Sequence, residues 1–354
     1  YARDTLYFGT PSDIDANSKV EIVLSIEVNK FAVGAAGFVF SGDLYSRSTC
    51  ASSDSSEVFY GHVPDPANAA GTGARSKAGV LYQMPSLIAH EFTHNIQQSR
   101  RIVVLGGTSL LASWESEGQA MFAQEVVGHS VLGNSAGQNY TSATALQGQG
   151  GRWYGQAFDI LATYFGRLPS GKAVGAPELC TLFGSVSLST ACDPFHFYGA
   201  SWSFQRYVAD RFGATYPGGE TQLSRDIVSK FPTVQGAANW EAVLGVSIDS
   251  VHARWAAMLY GDDRVGGLAP AVGMSSWNMF EIFNSFPNDN YRLIPTSRQF
   301  VAFSDSRNVR GGSTAYTLVS SAGARSALAV RVRDGSDAVL AGTMKPVLWI
   351  LRTQ

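Results

Sequence analysis

Charge is scarce in this 354-residue chain: only 15% of its residues are Asp, Glu, Lys or Arg, and they nearly cancel to a formal −2. That balance removes the electrostatic case for binding nucleic acid or an anionic membrane surface. Long apolar runs are absent as well. The longest, Phe31 to Phe40, is broken by glycines and falls short of the roughly 20 residues that span a bilayer. There are three cysteines, and none has zinc-finger spacing. Cys180 and Cys192 bracket a short apolar segment, where a disulfide across a hairpin competes with two reduced, buried thiols. Cys50 stands in a Ser-rich loop without an obvious partner. No signal-like segment opens the chain, and Tyr1 is not Met, so the expectation is a secreted protein in its mature form or a trimmed chain. Apolar side chains, by contrast, make up 45% of the residues, enough for a sizeable core in one large domain with a smaller companion.

Histidine is rare too. Two of the six fall in His90-Glu91-Phe92-Thr93-His94, an H-E-x-x-H pattern. On a helix, residues four apart share a face and lie about 6 Å apart along the axis, so both imidazoles can bind one zinc ion. Glu91 projects from the next position, where it can act on a water at the metal. Leu87, Ile88, Phe92 and Ile96 surround the motif with apolar side chains, which predicts a buried helix. Buried histidines need partners, and two on one face most simply share a metal. Pro85-Ser86 marks the expected start of this helix.

A catalytic zinc requires a third protein ligand and leaves a fourth position for water. The segment Trp114 to Ala120, in a helical pattern reaching about Val127, offers two carboxylates. Glu117 is separated from His94 by 22 intervening residues and Glu115 by 20, and either spacing lets a second helix cross the first. A third histidine ligand is not expected, because no His follows His94 until His129 and the spacing H-x-x-G-x-x-H is missing. His62, His129 and His252 have no partner pattern and read as structural or exposed.

The rest of the chain predicts an α+β fold. Thr5 to Gly9, Lys19 to Ile26 and Gly37 to Phe40 read as strands. Between the first two, Asp13, Asp15 and Asn17 stand at a spacing that can wrap a calcium ion. Ser18 replaces the turn glycine, however, and Leu24 occupies the place of the bidentate Glu, so a polar turn is the first reading and Ca2+ the second. Asn134 to Gly151, rich in Gly, Ser, Thr and Gln, reads as a mobile surface loop. Helices are expected near Gln156 to Phe165, Gly199 to Phe212 and Ser250 to Leu259. The expected organisation is a catalytic domain over residues 1–262, a linker over 263–297 and a strand-rich module over 298–354. In that module Phe300 to Phe303, Ala315 to Ser320, Ala327 to Val332 and Val347 to Leu351 are the candidate strands.

Trp114, Glu117, Gly118 and Ala120 match, position by position, the W-x-x-E-G-x-A segment of gluzincin peptidases, whose third ligand is the Glu before Gly. From about Asp13 to Asp262 the chain resembles the hyicolysin family of neutral zinc metallopeptidases. The resemblance rests on the D-x-D-x-N turn, Gly37-Phe38, Gly42 to Tyr45, Glu57 to Tyr60, the two zinc motifs, Tyr198-Gly199-Ala200 and Trp255. Ser18 and the long loop after the second motif depart from it. The resemblance implies a zincin-type catalytic domain, a zinc held by His90, His94 and Glu117, and Glu91 as the general base. It also implies an oxyanion donor, for which Tyr198 is the closest counterpart and His196 a second candidate. A peptide or protein is then the substrate. The chain lacks the G-x-M-E-N segment with which gluzincin aminopeptidases hold a free amino group, so an endopeptidase is expected before an aminopeptidase. A different class of function, a binding protein stabilised by a structural zinc, would call for a fourth protein ligand, and none is apparent.

Overall fold

The computed structural model describes the chain apart from residues 32–35, 167–176, 185–191, 287–292, 300–305, 321–329, 335, 337, 343–345 and 352–354. Helices dominate it and strands are few, an α+β arrangement.

The chain opens with helix α1 (Ala2–Phe8), followed by strand β1 (Glu21–Leu24), helix α2 (Ile26–Phe31), strand β2 (Gly37–Phe38) and strand β3 (Val58–Gly61). The three strands form one sheet in the order β1-β3-β2, with β1 parallel and β2 antiparallel to β3. Register pairs Ile22 with Phe59 and Phe38 with Tyr60, and the Phe38 and Tyr60 rings stack at 4.9 Å.

Two long helices follow, α3 (Lys77–Ser99) and α4 (Ser113–Leu132). After the short turns α5 (Ser142–Ala145) and α6 (Gly148–Gly150) come α7 (Gln156–Tyr164) and α8 (His196–Phe212). Helix α8 packs between α4 and α7, and α4 packs in turn on α3. Glycines set the closeness of these crossings. A Cβ on Gly199 would fall 2.2 Å from the Leu161 main-chain nitrogen, so α7 and α8 meet backbone to backbone. Trp202 and Trp255 are fully buried in the core beside α8. At its heart Arg206 is also fully buried, 2.8 Å from Asp210, 2.7 Å from Glu220 and 3.5 Å from Glu125, so the charge is compensated where water cannot reach it.

The remaining elements are α9 (Gly219–Ser229), α10 (Ala237–Leu244), α11 (Ile248–Gly261), α12 (Met279–Ser285), β4 (Thr296–Gln299) and β5 (Thr317–Ser320). Strands β4 and β5 pair in parallel. The chain before β5 docks on the helical body: Leu182 N–H donates to the Gly312 carbonyl at 3.0 Å, and the Tyr316 hydroxyl donates to the Ala256 carbonyl at 2.8 Å.

Four sequence expectations change. Thr5 to Gly9 is not a strand but lies mostly within α1. Its β-prone residues are overruled because Asp4, Tyr7 and Phe8 recur at helical spacing and bury one face. Helix α3 starts at Lys77, not at Pro85. The Ser76 hydroxyl caps it by accepting from Gly79 N–H at 3.0 Å, and Pro85 sits inside, following an exposed turn where a missing hydrogen bond costs least. The segment Asn134 to Gly151 is pinned rather than loose: Asn139 N–H donates to the Ser275 carbonyl, and Ser142 donates twice to Glu281. Val347 to Leu351 forms no strand, since no partner strand lies beside it among the described residues. Phe300 to Phe303 and the first half of Ala327 to Val332 lie outside the described residues.

Candidate metal centre

Helix α3 carries His90, Glu91 and His94 in its buried second half, and α4 carries Glu117 in its second turn. Where the two helices cross, Glu117 Oε2 lies 3.2 Å from His90 Nε2 and 3.2 Å from His94 Nε2. The two nitrogens are themselves 3.2 Å apart. Three donor atoms thus form a nearly equilateral triangle. A tetrahedral zinc with bonds of about 2.0 Å places its ligand atoms about 3.3 Å apart, so the triangle fits three corners of that tetrahedron. The donor set, two imidazole nitrogens and one carboxylate oxygen, also suits zinc. The two histidine side chains are 10% exposed and that of Glu117 is 19% exposed, which leaves the cluster reachable from solvent.

The electrostatics follow from burial and mutual contact. Burial alone would lower the His94 imidazole, but the adjacent Glu117 carboxylate overrides it and pushes the ring up to about 9. Burial would raise Glu117, yet His94 and His90 hold it well below the usual carboxylate range. Glu91 is buried beside these three groups, and burial pushes its carboxyl up, with Glu117 adding to the effect and both histidines opposing it. No hydrogen bond ties up the Glu91 carboxylate among the described residues.

The two competing carboxylates part company. Glu115 is fully buried on the opposite side of α4. It accepts from Ala112 N–H at 2.9 Å, from Asn239 Nδ2 at 3.0 Å and from Gly236 N–H, capping α4 and fastening the chain that leads into α10. The small residue after Glu117 makes room for α8 rather than for α3, since a Cβ on Gly118 would collide with Ser201.

The two oxyanion candidates also separate. Tyr198, in the first turn of α8, faces the cluster, close enough for the Glu117 and Glu91 carboxylates to act on its phenol. Burial, Glu117 and Glu91 together push the phenol up. His196 faces elsewhere. Its Nδ1 lies 2.6 Å from the Asp193 carbonyl and its Nε2 3.1 Å from the Thr181 carbonyl, so main-chain acceptors occupy both ring nitrogens. Of the remaining histidines, His129 is buried among Tyr140, Tyr154 and Trp277, His252 packs on Phe183 and Trp255, and His62 meets Arg75.

Sequence reading missed Gln97 and Ser116. His94 Nδ1 lies 3.1 Å from Gln97 Oε1 and 3.0 Å from Ser116 Oγ, and the Ser116 hydroxyl donates to Gln97 Oε1 at 2.6 Å. The only sequence signal was a polar residue one turn past His94. His90 differs, because its Nδ1 is buried with no hydrogen-bond partner among the described residues.

Away from this centre, Asp13, Asp15 and Glu57 bring carboxylate oxygens within 4.8 Å of one another. These oxygens already serve the chain. Asp13 accepts from Ser18 N–H, Asp15 from Asn17, and Glu57 from Ser12 and Ile14, which accounts for the polar turn expected there. Cys180 and Cys192 are joined by a disulfide with an S–S distance of 2.11 Å.

No protein-family model matches this chain, and no curated protein does.

Proposed function

We propose that the protein is a zinc-dependent endopeptidase with a zincin-type catalytic domain, in which His90, His94 and Glu117 hold the metal. The observation that carries this reading is the convergence of three lone-pair donors at 3.2 Å separations. A proton or a metal cation relieves the repulsion among three such donors, and their spacing and chemistry suit zinc.

Zinc held there supplies Lewis acidity to a water molecule and to the scissile carbonyl. Glu91, buried and lacking a hydrogen-bond partner among the described residues, takes the proton from the attacking water and returns it to the leaving amine. Its raised proton affinity brings it closer to the working pH, where a general base is most effective. Tyr198 presents a hydroxyl that stays protonated, suited to donating to the oxygen that gains charge in the transition state. The missing amine-anchoring segment favours cleavage within a chain over removal of its first residue. The Cys180–Cys192 disulfide fits a secreted protein in an oxidising compartment.

Metal analysis after dialysis against zinc tests the ligand set. Wild type is expected to retain about one zinc per chain, and Glu117→Ala and His94→Ala to lose most of it. A wild-type chain that takes up no zinc overturns the reading.

A further inference from the structure

His90, Glu91, His94, Glu117 and Tyr198 carry the proposed chemistry, and two further side chains hold His94. We infer that Gln97 and Ser116 form a positioning pair that fixes the His94 tautomer and the placement of Glu117 together. This deepens the zinc reading and rests on it.

Hydrogen-bond accounting carries the inference. Gln97 Nε2 donates to the Ser116 carbonyl at 3.1 Å, which identifies the amide nitrogen and leaves Oε1 as the atom facing His94 Nδ1. An amide oxygen can only accept. The Ser116 hydroxyl has one proton, and it goes to Gln97 Oε1 at 2.6 Å. Toward His94, Ser116 Oγ is therefore an acceptor as well. Nδ1 faces two acceptors, at 3.1 Å and 3.0 Å, and must carry the proton. In the neutral imidazole that binds a metal, Nε2 is then the nitrogen that offers a lone pair, and it is the atom turned toward His90 and Glu117.

The same contacts cross between helices. Gln97 belongs to α3 and Ser116 to α4, immediately before Glu117. Gln97 holds Ser116 by both main chain and side chain, so it sets the position at which Glu117 leaves α4. Gln97 is buried and Ser116 half-buried, so the contact lies largely out of water. Among the described residues His90 has no such support, since its Nδ1 finds no hydrogen-bond partner there. One imidazole is thereby oriented in advance and the other is left to the metal, and outer partners of this kind change metal affinity by about 10- to 100-fold.

The test compares wild type with Gln97→Leu, Gln97→Glu and Ser116→Ala, measuring zinc affinity by chelator competition and the visible spectrum of the Co2+-substituted protein. Gln97→Leu is expected to weaken zinc by about 10- to 100-fold and to shift the Co2+ bands, while Gln97→Glu, which keeps the acceptor, binds at least as tightly as wild type. Ser116→Ala should fall between the two. If Gln97→Leu fails to fold, the zinc-loaded wild type still answers by NMR: the account requires an exchange-protected Nδ1 proton on His94, and zinc bound through His94 Nδ1 contradicts it. Zinc affinity within about twofold of wild type in folded Gln97→Leu overturns the positioning role alone. A wild type that binds no zinc overturns the metal reading and this inference with it.

Discussion

A Cβ added at Gly118 would stand 2.7 Å from the Cβ of Ser201, so α4 and α8 touch without clearance one residue past Glu117. Gly118→Ala is therefore expected to cost about 1–3 kcal/mol through overpacking and to displace Glu117 from the histidines. Thermal denaturation and zinc competition report the two effects. Adding Ser201→Gly to the variant should recover most of both, and a Gly118→Ala protein as stable and as tight for zinc as wild type would show that the crossing has room to spare.

The two carboxylates of the second motif predict opposite failures. Glu115→Ala removes a buried acceptor shared by three donors and should destabilise the fold by about 2–3 kcal/mol while leaving zinc stoichiometry intact. Glu117→Ala should lose zinc. Denaturant unfolding and metal analysis on both variants separate the roles, and a zinc-free Glu115→Ala that remains folded would reverse the assignment.

Tyr198→Phe keeps the ring and deletes the hydroxyl that faces Glu117 and Glu91. Loss of one oxyanion donor costs roughly 10²–10³ in kcat, so the variant should bind zinc and substrate nearly as wild type does but turn over that much more slowly. His196→Gln should leave kcat within a few-fold of wild type, because main-chain carbonyls occupy both ring nitrogens. Steady-state kinetics on the pair would assign the donor.

The approach of His90 to His94 was legible in the sequence, because residues four apart on a helix share a face. Glu117 was separable from Glu115 only through a resemblance, since either carboxylate suits a crossing helix; the three donors that hold Glu115 come from residues 112, 236 and 239. Gln97 and Ser116 were not legible for the same reason, as their contact exists only once α3 and α4 cross. The error at α1 has a different origin. Thr5, Tyr7 and Phe8 favour strands locally, and packing of the buried face against α3, α4 and α9 decides otherwise. At α3, Pro85 looked like a first turn because proline suits one, but the Ser76 cap begins the helix earlier.

Asp262 gives a pH prediction independent of the His90–His94–Glu117 cluster. Burial pushes its carboxyl from 3.8 up to about 7, although it accepts from Met274 and Met279 N–H. A raised folded-state value means that the protonated form is favoured by folding. Its contribution is complete below about pH 4 and is lost as the pH rises through 7. Between those limits wild type should lose about 2–5 °C of Tm that Asp262→Asn does not lose. Parallel Tm–pH curves for the two proteins would contradict the assignment.

The central claim is that Glu91 works on a water beside a metal held by its two neighbouring histidines. Zinc-loaded wild type and Glu91→Gln, incubated with a denatured mixed-protein substrate and analysed by peptide mass spectrometry, test it most directly. The account predicts internal cuts by wild type, none above background by Glu91→Gln, and equal zinc content in both. Internal cleavage by Glu91→Gln at the wild-type rate, or none by zinc-loaded wild type, would contradict it.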